Sequence, residues 1–424
     1  METKNTQKLL KAIKLTNEIV SDISYLCEVR LRSTYFIKEG KMGFTKLISF
    51  ILNLIKKSLQ IELDNFFKVL PGNNCTITKQ AFSEARQKVS PKAFTILFEA
   101  ITKQFYQDND FKTYRGYRLS AIDSTTLELQ NTDTLRKAYG YAENTTVKVA
   151  RARVSGLYDV ENNFLIDTII ERYEVDEENL AYRHIQKLQE YGLKNDLILF
   201  DRGYPSKALI ASLTEANINF VMRVSPQFIK EVNQVQSQDE IVEFHYKKTK
   251  YRIRVLKFML KSGIQEILVS SLLDQSFSVE DFKELYFKRW GIETKYNELK
   301  HKLEIENFTG ETPIAVEQDF YASMYLSNMA ALAKMDADEQ IQSQNQTKDL
   351  KYEYQTNTNI LIGKLKDRLI LMILETSEHK RKKILKQVMQ EITRNAVPIR
   401  PGRTNPRIKK TARDRYPMNQ KKCL

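Results

Sequence analysis

Four residues with a fixed spacing are the first candidates for chemistry in this chain. Tyr286, Arg289, Glu293 and Lys300 stand at relative positions 0, 3, 7 and 14. At about 100° per residue these positions fall within roughly 60° of arc, so all four side chains would share one face of the helix predicted over 279–301. A solvated helix face with ion pairs would show the same pattern. The spacing alone therefore leaves a functional and an ordinary explanation open.

Two aspartates each follow a strand-like segment. Asp123 ends the segment that begins at Tyr117, and Asp201 ends the almost fully apolar segment that begins at Asp196, which is typical of a buried strand. If the two strands are neighbours, the two carboxylates lie side by side at one edge of the sheet. Burying an isolated pair of close carboxylates is unfavourable, because like charges repel and both lose water.

Divalent cations would remove this penalty. Mg²⁺ prefers oxygen ligands and is typically held by one or two carboxylates together with phosphate oxygens. With Glu293 as a third carboxylate, Asp123 and Asp201 would suffice for two ions about 3.5–4 Å apart that clamp the attacking and leaving oxygens. Arg289 and Lys300 would then contact the phosphodiester, one as a planar fork and the other as a point charge. The combination indicates metal-dependent chemistry on a phosphodiester.

The segments that must position these residues predict an α/β arrangement. After residue 115 the order is three strands, a helix and a buried strand, over 117–123, 147–158, 164–173, 177–191 and 196–201. Asn162 and Asn163 predict a hairpin turn, and Gly192 ends the helix. Residues 205–275 contain further strand patterns. The later elements are predicted as helices over 279–301, 316–335 and 360–375, with a polar loop over 336–359.

The first 110 residues have helical apolar periodicity. A short amphipathic helix is predicted over 78–88, and Ser90 with Pro91 begins the next one. Two short helices around a tight turn suit a helix-turn-helix, and an ordinary helical bundle explains the pattern equally well. The helix over 78–88 would either contact a DNA groove or present only a solvated face. Its basic residues are Lys79, Arg86 and Lys88.

Composition and charge indicate a soluble intracellular protein with an anionic partner. The 424 residues carry 67 Lys and Arg against 53 Asp and Glu, a net charge of +14. Between Lys380 and Leu424 stand fifteen basic residues and two acids. This segment predicts an extended basic tail, which could be a solubilising tail or an arm on a phosphate backbone, and we favour the arm. Three distant cysteines and four histidines argue against disulfides and structural zinc, and no apolar run is long enough to cross a membrane.

These motifs resemble the DDE transposases of bacterial insertion sequences, in the group defined by the Tyr-Arg-Glu-Lys spacing (the insertion-sequence-four type). Asp201-Arg-Gly-Tyr204 resembles the second-aspartate motif of that family. The resemblance runs from about Phe44 through Leu361 and includes Phe308-Thr-Gly310 and Gln318-Asp-Phe-Tyr-Ala322. The family often has glycine after the first aspartate, where this chain has Ser124, so a small residue is kept.

The resemblance implies an α/β fold, with an RNase H-like catalytic domain, a β-rich insertion and an all-helical N-terminal DNA-binding domain. The implied boundaries are 1–110 for the helical domain, 111–204 and 278–375 for the two parts of the catalytic domain, 205–277 for the insertion and 376–424 for the basic tail. Many members of the group free the element through a hairpin at its ends.

The resemblance also implies an enzyme that binds the terminal inverted repeats of an insertion element, cuts the DNA and joins its 3′ ends to target DNA. Asp123, Asp201 and Glu293 would be catalytic and would hold two Mg²⁺ ions, with Mn²⁺ as an alternative. A homodimer on paired ends, in the bacterial cytoplasm with the nucleoid and without a membrane partner, is the implied assembly. The residues expected to contact DNA are Tyr286, Arg289, Lys300, Arg202 and Tyr204.

Two other classes of function stay open at this point. One is an RNase H-like DNA nuclease without strand transfer, and the other is a catalytically inactive DNA-binding regulator derived from a transposase. Trp290 is the only tryptophan. It lies about 100° from Arg289 around the helix, so we expect core packing rather than stacking on a flipped base. His184 is expected to be structural.

Overall fold

The computed structural model describes residues 3–38, 40–53, 55, 57–70, 76–143, 147–192, 194–260 and 263–400. Its helices are α1 (Lys4–Ser21), α2 (Ile23–Val29), α3 (Phe44–Ile51), α4 (Leu59–Val69), α5 (Lys79–Arg86), α6 (Lys92–Gln107), α7 (Asp133–Tyr139), α8 (Glu177–Tyr191), α9 (Lys207–Glu215), α10 (Lys230–Gln234), α11 (Val279–Phe287), α12 (Trp290–His301), α13 (Pro313–Asn345), α14 (Thr358–Leu365), α15 (Arg368–Leu374) and α16 (Glu378–Thr393). Its strands are β1 (Arg118–Glu128), β2 (Tyr141–Glu143), β3 (Lys148–Asp159), β4 (Phe164–Arg172), β5 (Asp196–Phe200), β6 (Asn219–Arg223), β7 (Asp239–Tyr246), β8 (Thr249–Met259), β9 (Gln265–Ser270), β10 (Tyr354–Gln355) and β11 (Val397–Pro398).

The chain forms two compact units. The helical unit comprises Met1–Asp108, Glu128–Ala152 and Glu298–Leu424. The sheet unit comprises Asn109–Leu127 and Arg153–Asn297. Mixed α/β architecture and N-terminal helices, both predicted from the sequence, are confirmed.

The sheet unit is built on a mixed sheet with the strand order β3-β1-β5-β6-β9-β8-β7, and β4 also pairs with β3. The pairs β1–β5 and β5–β6 are parallel, whereas β6–β9, β9–β8 and β8–β7 are antiparallel. The strands that follow residue 205 therefore continue the same sheet. All five residues of β5 are buried, as the apolar sequence predicts for a central strand.

The first strand is longer than predicted. β1 continues past Asp123 to Glu128, so the prediction that Asp123 ends its strand is wrong. Pairing with β5 does stop at Ile122, which lies opposite Phe200. The polar residues after Asp123 obscured the extension, although two of them are β-branched threonines that favour strands, and Leu127 is fully buried.

The helical unit packs α1 and α6 against the long helix α13. α13 extends to Asn345, so the predicted loop over 336–359 is wrong for its first ten residues. The polar sequence hid a buried face that carries Asp336 and Ile341. Asp336 Oδ1 accepts hydrogen bonds from the hydroxyls of Thr3 and Thr6, which compensate part of the cost of its burial.

The basic C-terminal segment is helical in its first part. α16 covers residues 378–393, and β11 pairs with β10 in an antiparallel ladder. The remainder of the predicted tail, from residue 401, lies outside the described residues. In the part of the chain that the structure describes, no helix combines the length and apolar character needed to cross a membrane.

Candidate active site

The first two carboxylates lie at the edge of the paired part of β1 and β5. Ile122 and Phe200 are the last partners in this parallel pair, and Asp123 and Asp201 follow them directly. Side chains at matching positions of parallel neighbours lie next to one another. The expected juxtaposition of the two aspartates is therefore present in the fold.

Glu293 reaches the same place from α12, and Arg289 links it to Asp123. Arg289 Nη2 donates a hydrogen bond of 2.8 Å to Glu293 Oε1. Arg289 Nη1 lies 3.7 Å from Asp123 Oδ2. The guanidinium is 4% exposed, whereas the carboxylates of Asp123 and Glu293 are 20% and 29% exposed. A buried cation thus lies between two partly accessible carboxylates.

A tight turn positions Arg289. The predicted single helix over 279–301 is divided into α11 and α12, with Lys288 and Arg289 between them. The backbone N–H groups of Arg289 and Ile292 bond to the carbonyls three residues earlier, those of Tyr286 and Arg289, at 3.1 and 3.2 Å. Such three-residue spacing tightens a helix locally. Glu293, four residues after Arg289, still meets its guanidinium.

The Asp123 carboxyl is a weaker acid than usual. Its pKa is raised to about 6, mainly by burial and to a smaller extent by the neighbouring Glu293 and Asp201 charges. The Ser124 backbone N–H, which donates to Asp123 Oδ1 at 2.8 Å, and the Arg289 guanidinium oppose this rise. The ionised carboxylate is therefore incompletely compensated by the protein, and an additional cation would favour it.

Two tyrosines expected to contact DNA are buried instead. Tyr286 is 7% exposed, and its hydroxyl lies 3.4 Å from both the Phe200 carbonyl oxygen and Asp201 Oδ1, to which it donates. Tyr204 is 1% exposed, and its hydroxyl lies 3.1 Å from Ser124 Oγ. Because these hydroxyls hold the strand ends and offer little surface, the structure does not support direct DNA contact for either residue.

Two of the other expected DNA contacts remain accessible, whereas Arg289 is buried. Arg202 is exposed, directly after Asp201. Lys300 is half-buried on α12, two turns beyond Glu293, and its ammonium lies 4.0 Å from Glu306 Oε1. Both side chains carry the charge that a phosphate contact requires.

The three candidate carboxylates are chemically suitable ligands for a divalent cation. Asp123, Asp201 and Glu293 supply carboxylate oxygens, the ligands that Mg²⁺ prefers. Among the described residues, no three acidic, histidine or cysteine side chains are already grouped closely enough to hold a metal ion. Instead, Arg289 supplies positive charge between Asp123 and Glu293. Ion binding would therefore require these carboxylates to exchange this guanidinium for the cation.

Trp290 corrects another expectation, because it is not in the core. Its side chain is 46% exposed, and neighbouring Phe287 is 73% exposed. The Arg289 guanidinium lies 5.8 Å from the centre of the Trp290 ring. The turn at 288–289 interrupts the helix. The prediction for Trp290 assumed one continuous helix and therefore placed the indole wrongly.

We expect Trp290→Ala to lower the free energy of unfolding by less than about 1 kcal/mol, because a half-exposed ring loses little burial. Phe282→Ala is the matched control: Phe282 lies fully buried on α11, and its truncation should cost about 3–5 kcal/mol. Urea unfolding measures both. Equal losses in the two variants would contradict the exposed position of Trp290.

Sequence reasoning missed several residues that support this site. Tyr296 Oη donates a 2.6 Å hydrogen bond to the Asp123 carbonyl oxygen, and Ser155 Oγ lies 3.4 Å from the same oxygen. Tyr296 stands three residues after Glu293, which at helical spacing was a signal for a shared face. Nothing in the sequence pointed to Ser155, because its partners are distant along the chain.

A protein-family model and two known proteins resemble this chain. The family model described as "Transposase DDE domain" matches residues 114–329, just over half of the chain. "Transposase InsG for insertion sequence element IS4" of Escherichia coli (strain K12) is 22% identical over 280 residues. That alignment covers 62% of this chain, and the chain spans 62% of that relative. The cryo-EM structure of the piggyBac transposase synaptic complex with hairpin DNA superposes with a TM-score of 0.47 at 10% identity, over 90% of this chain and 82% of that one.

The matched range contains Asp123, Asp201 and Glu293, together with the turn that carries Arg289. The resemblance seen in the sequence motifs is thus confirmed at the level of the family. On the extent of the family match, the chain belongs to the transposase DDE domain family.

Proposed function

We propose that this protein is a transposase that binds the terminal inverted repeats of an insertion element, cuts DNA by hydrolysis and transesterification, and joins the 3′ ends to target DNA. The observation that supports this best is that Asp123 and Asp201 follow the last paired residues of β1 and β5, while Arg289 lies close to both Asp123 and Glu293. We take the sheet unit to be the core of an RNase H-like catalytic domain. We assign DNA binding to the N-terminal helices and the basic C-terminal segment.

Asp123, Asp201 and Glu293 would hold two Mg²⁺ ions, which when bound would activate the attacking water or 3′ hydroxyl and stabilise the leaving oxygen. Tyr286 keeps the Asp201 side chain close to the end of β5 through its hydroxyl. The hydroxyl groups of Tyr204 and Ser124 link the segments that follow Asp201 and Asp123. These contacts restrict the carboxylates before any ligand arrives, which lowers the cost of ordering them.

Arg289 has donors suited to the phosphodiester. Its Nε and Nη1 make no hydrogen bond among the described residues, although both are buried. A guanidinium with unused donors can bind two phosphate oxygens as a fork. We propose that Arg289 leaves the carboxylates for the phosphate when DNA and cations bind. Lys300 and Arg202 would add phosphate contacts, and two copies of the chain would hold the paired ends.

The test uses a plasmid carrying the DNA that flanks this gene on both sides. In Mg²⁺ we expect nicks at the element's ends and products in which those ends are joined to new sites. Addition of EDTA should abolish both, and Mn²⁺ should restore them. Cleavage at the ends without joined products would instead indicate a nuclease. Specific binding without cleavage in either metal would indicate an inactive DNA-binding regulator.

A further inference from the structure

The carbonyl of Asp123 is held by side chains that the chemistry described above does not use. Tyr296 Oη donates to this oxygen at 2.6 Å, and Ser155 Oγ lies 3.4 Å from it. Tyr296 comes from α12, three residues after Glu293, and Ser155 comes from β3. The backbone of the first carboxylate is thus tied both to the helix that carries the third carboxylate and to the neighbouring strand.

A buried chain of polar groups continues behind Ser155. His184 Nε2 lies 3.0 Å from Ser155 Oγ, and His184 Nδ1 lies 2.7 Å from Asp167 Oδ2. Ser155 Oγ carries a single proton, so it donates either to the Asp123 carbonyl oxygen, while accepting from His184 Nε2–H, or to an unprotonated His184 Nε2. Serine, histidine and aspartate in this order resemble the constellation of a hydrolase, but Ser155 and His184 are both fully buried. No substrate can reach the hydroxyl, so the chain can act only through the backbone of Asp123.

The fold makes room for the Tyr296 hydroxyl. A Cβ at Gly156 would lie 3.0 Å from Tyr296 Oη, which is closer than ordinary side-chain contacts allow. The absence of a side chain at Gly156 therefore leaves the space that the Tyr296 hydroxyl needs to donate to the Asp123 carbonyl oxygen.

We infer that Tyr296 is a positioning residue for Asp123, and that Ser155, which His184 and Asp167 hold in place, can support the same carbonyl from β3. Fixing this carbonyl restricts the backbone of Asp123 and hence the direction of its carboxylate. Because Tyr296 and Glu293 share α12, the hydrogen bond also fixes the spacing between the first and third carboxylates. The inference rests on the proposed function, since it assigns Asp123 and Glu293 to a metal site.

The central test is Tyr296→Phe, which removes the hydroxyl and keeps the ring. Its matched control is Tyr325→Phe, because Tyr325 is equally buried and its hydroxyl bonds to Thr16 at 2.8 Å in the helical unit. Calorimetric titration with Mn²⁺ should show about tenfold weaker binding for Tyr296→Phe, as is typical when a group behind a metal ligand is lost. The kcat of DNA cleavage should fall by a similar factor at unchanged KM. Tyr325→Phe should leave all three quantities within about twofold of the wild type.

Two further variants separate positioning from general destabilisation. Gly156→Ala should weaken Mn²⁺ binding like Tyr296→Phe, and adding it to Tyr296→Phe should have little further effect, because the clashing hydroxyl is already absent. Ser155→Ala should have a smaller effect in the same direction, since its hydrogen bond is longer. Ser270→Ala is the control for it, because Ser270 is also fully buried and donates to the Phe220 carbonyl oxygen at 2.8 Å.

Asp123→Asn distinguishes failure of this inference from failure of the proposed function. If Asp123→Asn weakens Mn²⁺ binding and Tyr296→Phe behaves like Tyr325→Phe, the positioning role is wrong and the metal site stands. If Asp123→Asn leaves Mn²⁺ binding unchanged, Asp123 is not a metal ligand, and the proposed site falls together with the inference. Melting temperatures that fall equally in Tyr296→Phe and Tyr325→Phe, with Mn²⁺ affinity lowered only in the first, would support positioning.

Discussion

Glu293→Gln should lower the rate of Mg²⁺-dependent DNA cleavage by about a thousandfold or more. Glutamine keeps an oxygen that can accept from Arg289, but it lacks the negative charge that makes a carboxylate a strong ligand for a divalent cation. Loss of one carboxylate from a two-metal site removes several kcal/mol of transition-state stabilisation, and each 1.4 kcal/mol is about a factor of ten in rate. Single-turnover cleavage of a DNA end, followed over time, measures the effect.

The fold should survive this substitution. The Glu293 side chain is 29% exposed, and the amide oxygen can replace the carboxylate in the 2.8 Å contact with Arg289. We therefore expect binding of the DNA end to persist. Glu190→Gln provides the control, because Glu190 is an exposed acid on α8 that pairs with Lys187 on the same helix. Cleavage by Glu293→Gln at the wild-type rate would show that another residue supplies the third carboxylate.

Arg86→Met should destabilise the protein by about 3–5 kcal/mol, the range expected when one partner of a buried ion pair is removed. Arg86 is 1% exposed. Its guanidinium bonds to Asp319 Oδ1 at 2.7 Å, to Gln318 Oε1 at 2.9 Å and to Thr309 Oγ1 at 2.6 Å. Methionine would fill much of the space but would leave the Asp319 carboxylate with less compensation in a largely buried position.

This arrangement corrects the expectation that Arg86 lies on a solvated or DNA-contacting face of its helix. It also accounts for motifs that the family resemblance included without a role. Thr309 and Gln318 are partners of Arg86, and a Cβ at Gly310 would lie 2.7 Å from the Ala315 Cβ. The motifs at 308–310 and 318–322 therefore have a structural role, because they bind Arg86 and so connect α5 to the start of α13.

Equilibrium unfolding in urea, followed by circular dichroism, tests the Arg86 prediction. Lys79→Met is the matched control, because Lys79 begins the same helix and is exposed, so its loss should change stability by less than about 0.5 kcal/mol. If Arg86→Met left the stability unchanged, weakened DNA binding and reduced the salt dependence of that binding, Arg86 would be a DNA contact after all.

The spacing of residues along the chain predicted the structure correctly where residues close in sequence determine it. The four-residue step from Arg289 to Glu293 does bring the two side chains together, and the helix over 177–191 ends at Gly192 as predicted. The apolar segment 196–200 is a buried strand. The family assignment followed from the same short motifs, since their order along the chain is itself sequence information.

The same spacing did not predict whether a side chain is buried where that depends on residues far away in sequence. The burial of Arg86 is decided by Asp319, more than two hundred residues later. The exposure of Trp290 depends on a turn at 288–289 that a continuous helical period conceals.

The sequence by itself therefore determined the family, the order of the main elements and the three candidate carboxylates. Periodicity and motif spacing depend on covalent neighbours, which the sequence contains in full. Only the tertiary structure decided that Arg289 is the counterion of Asp123 and Glu293, that Tyr286 and Tyr204 are buried supports, and that Tyr296 holds the Asp123 carbonyl. Hydrogen-bond partners and solvent access arise from contacts between distant segments, and a single sequence does not specify those contacts one by one.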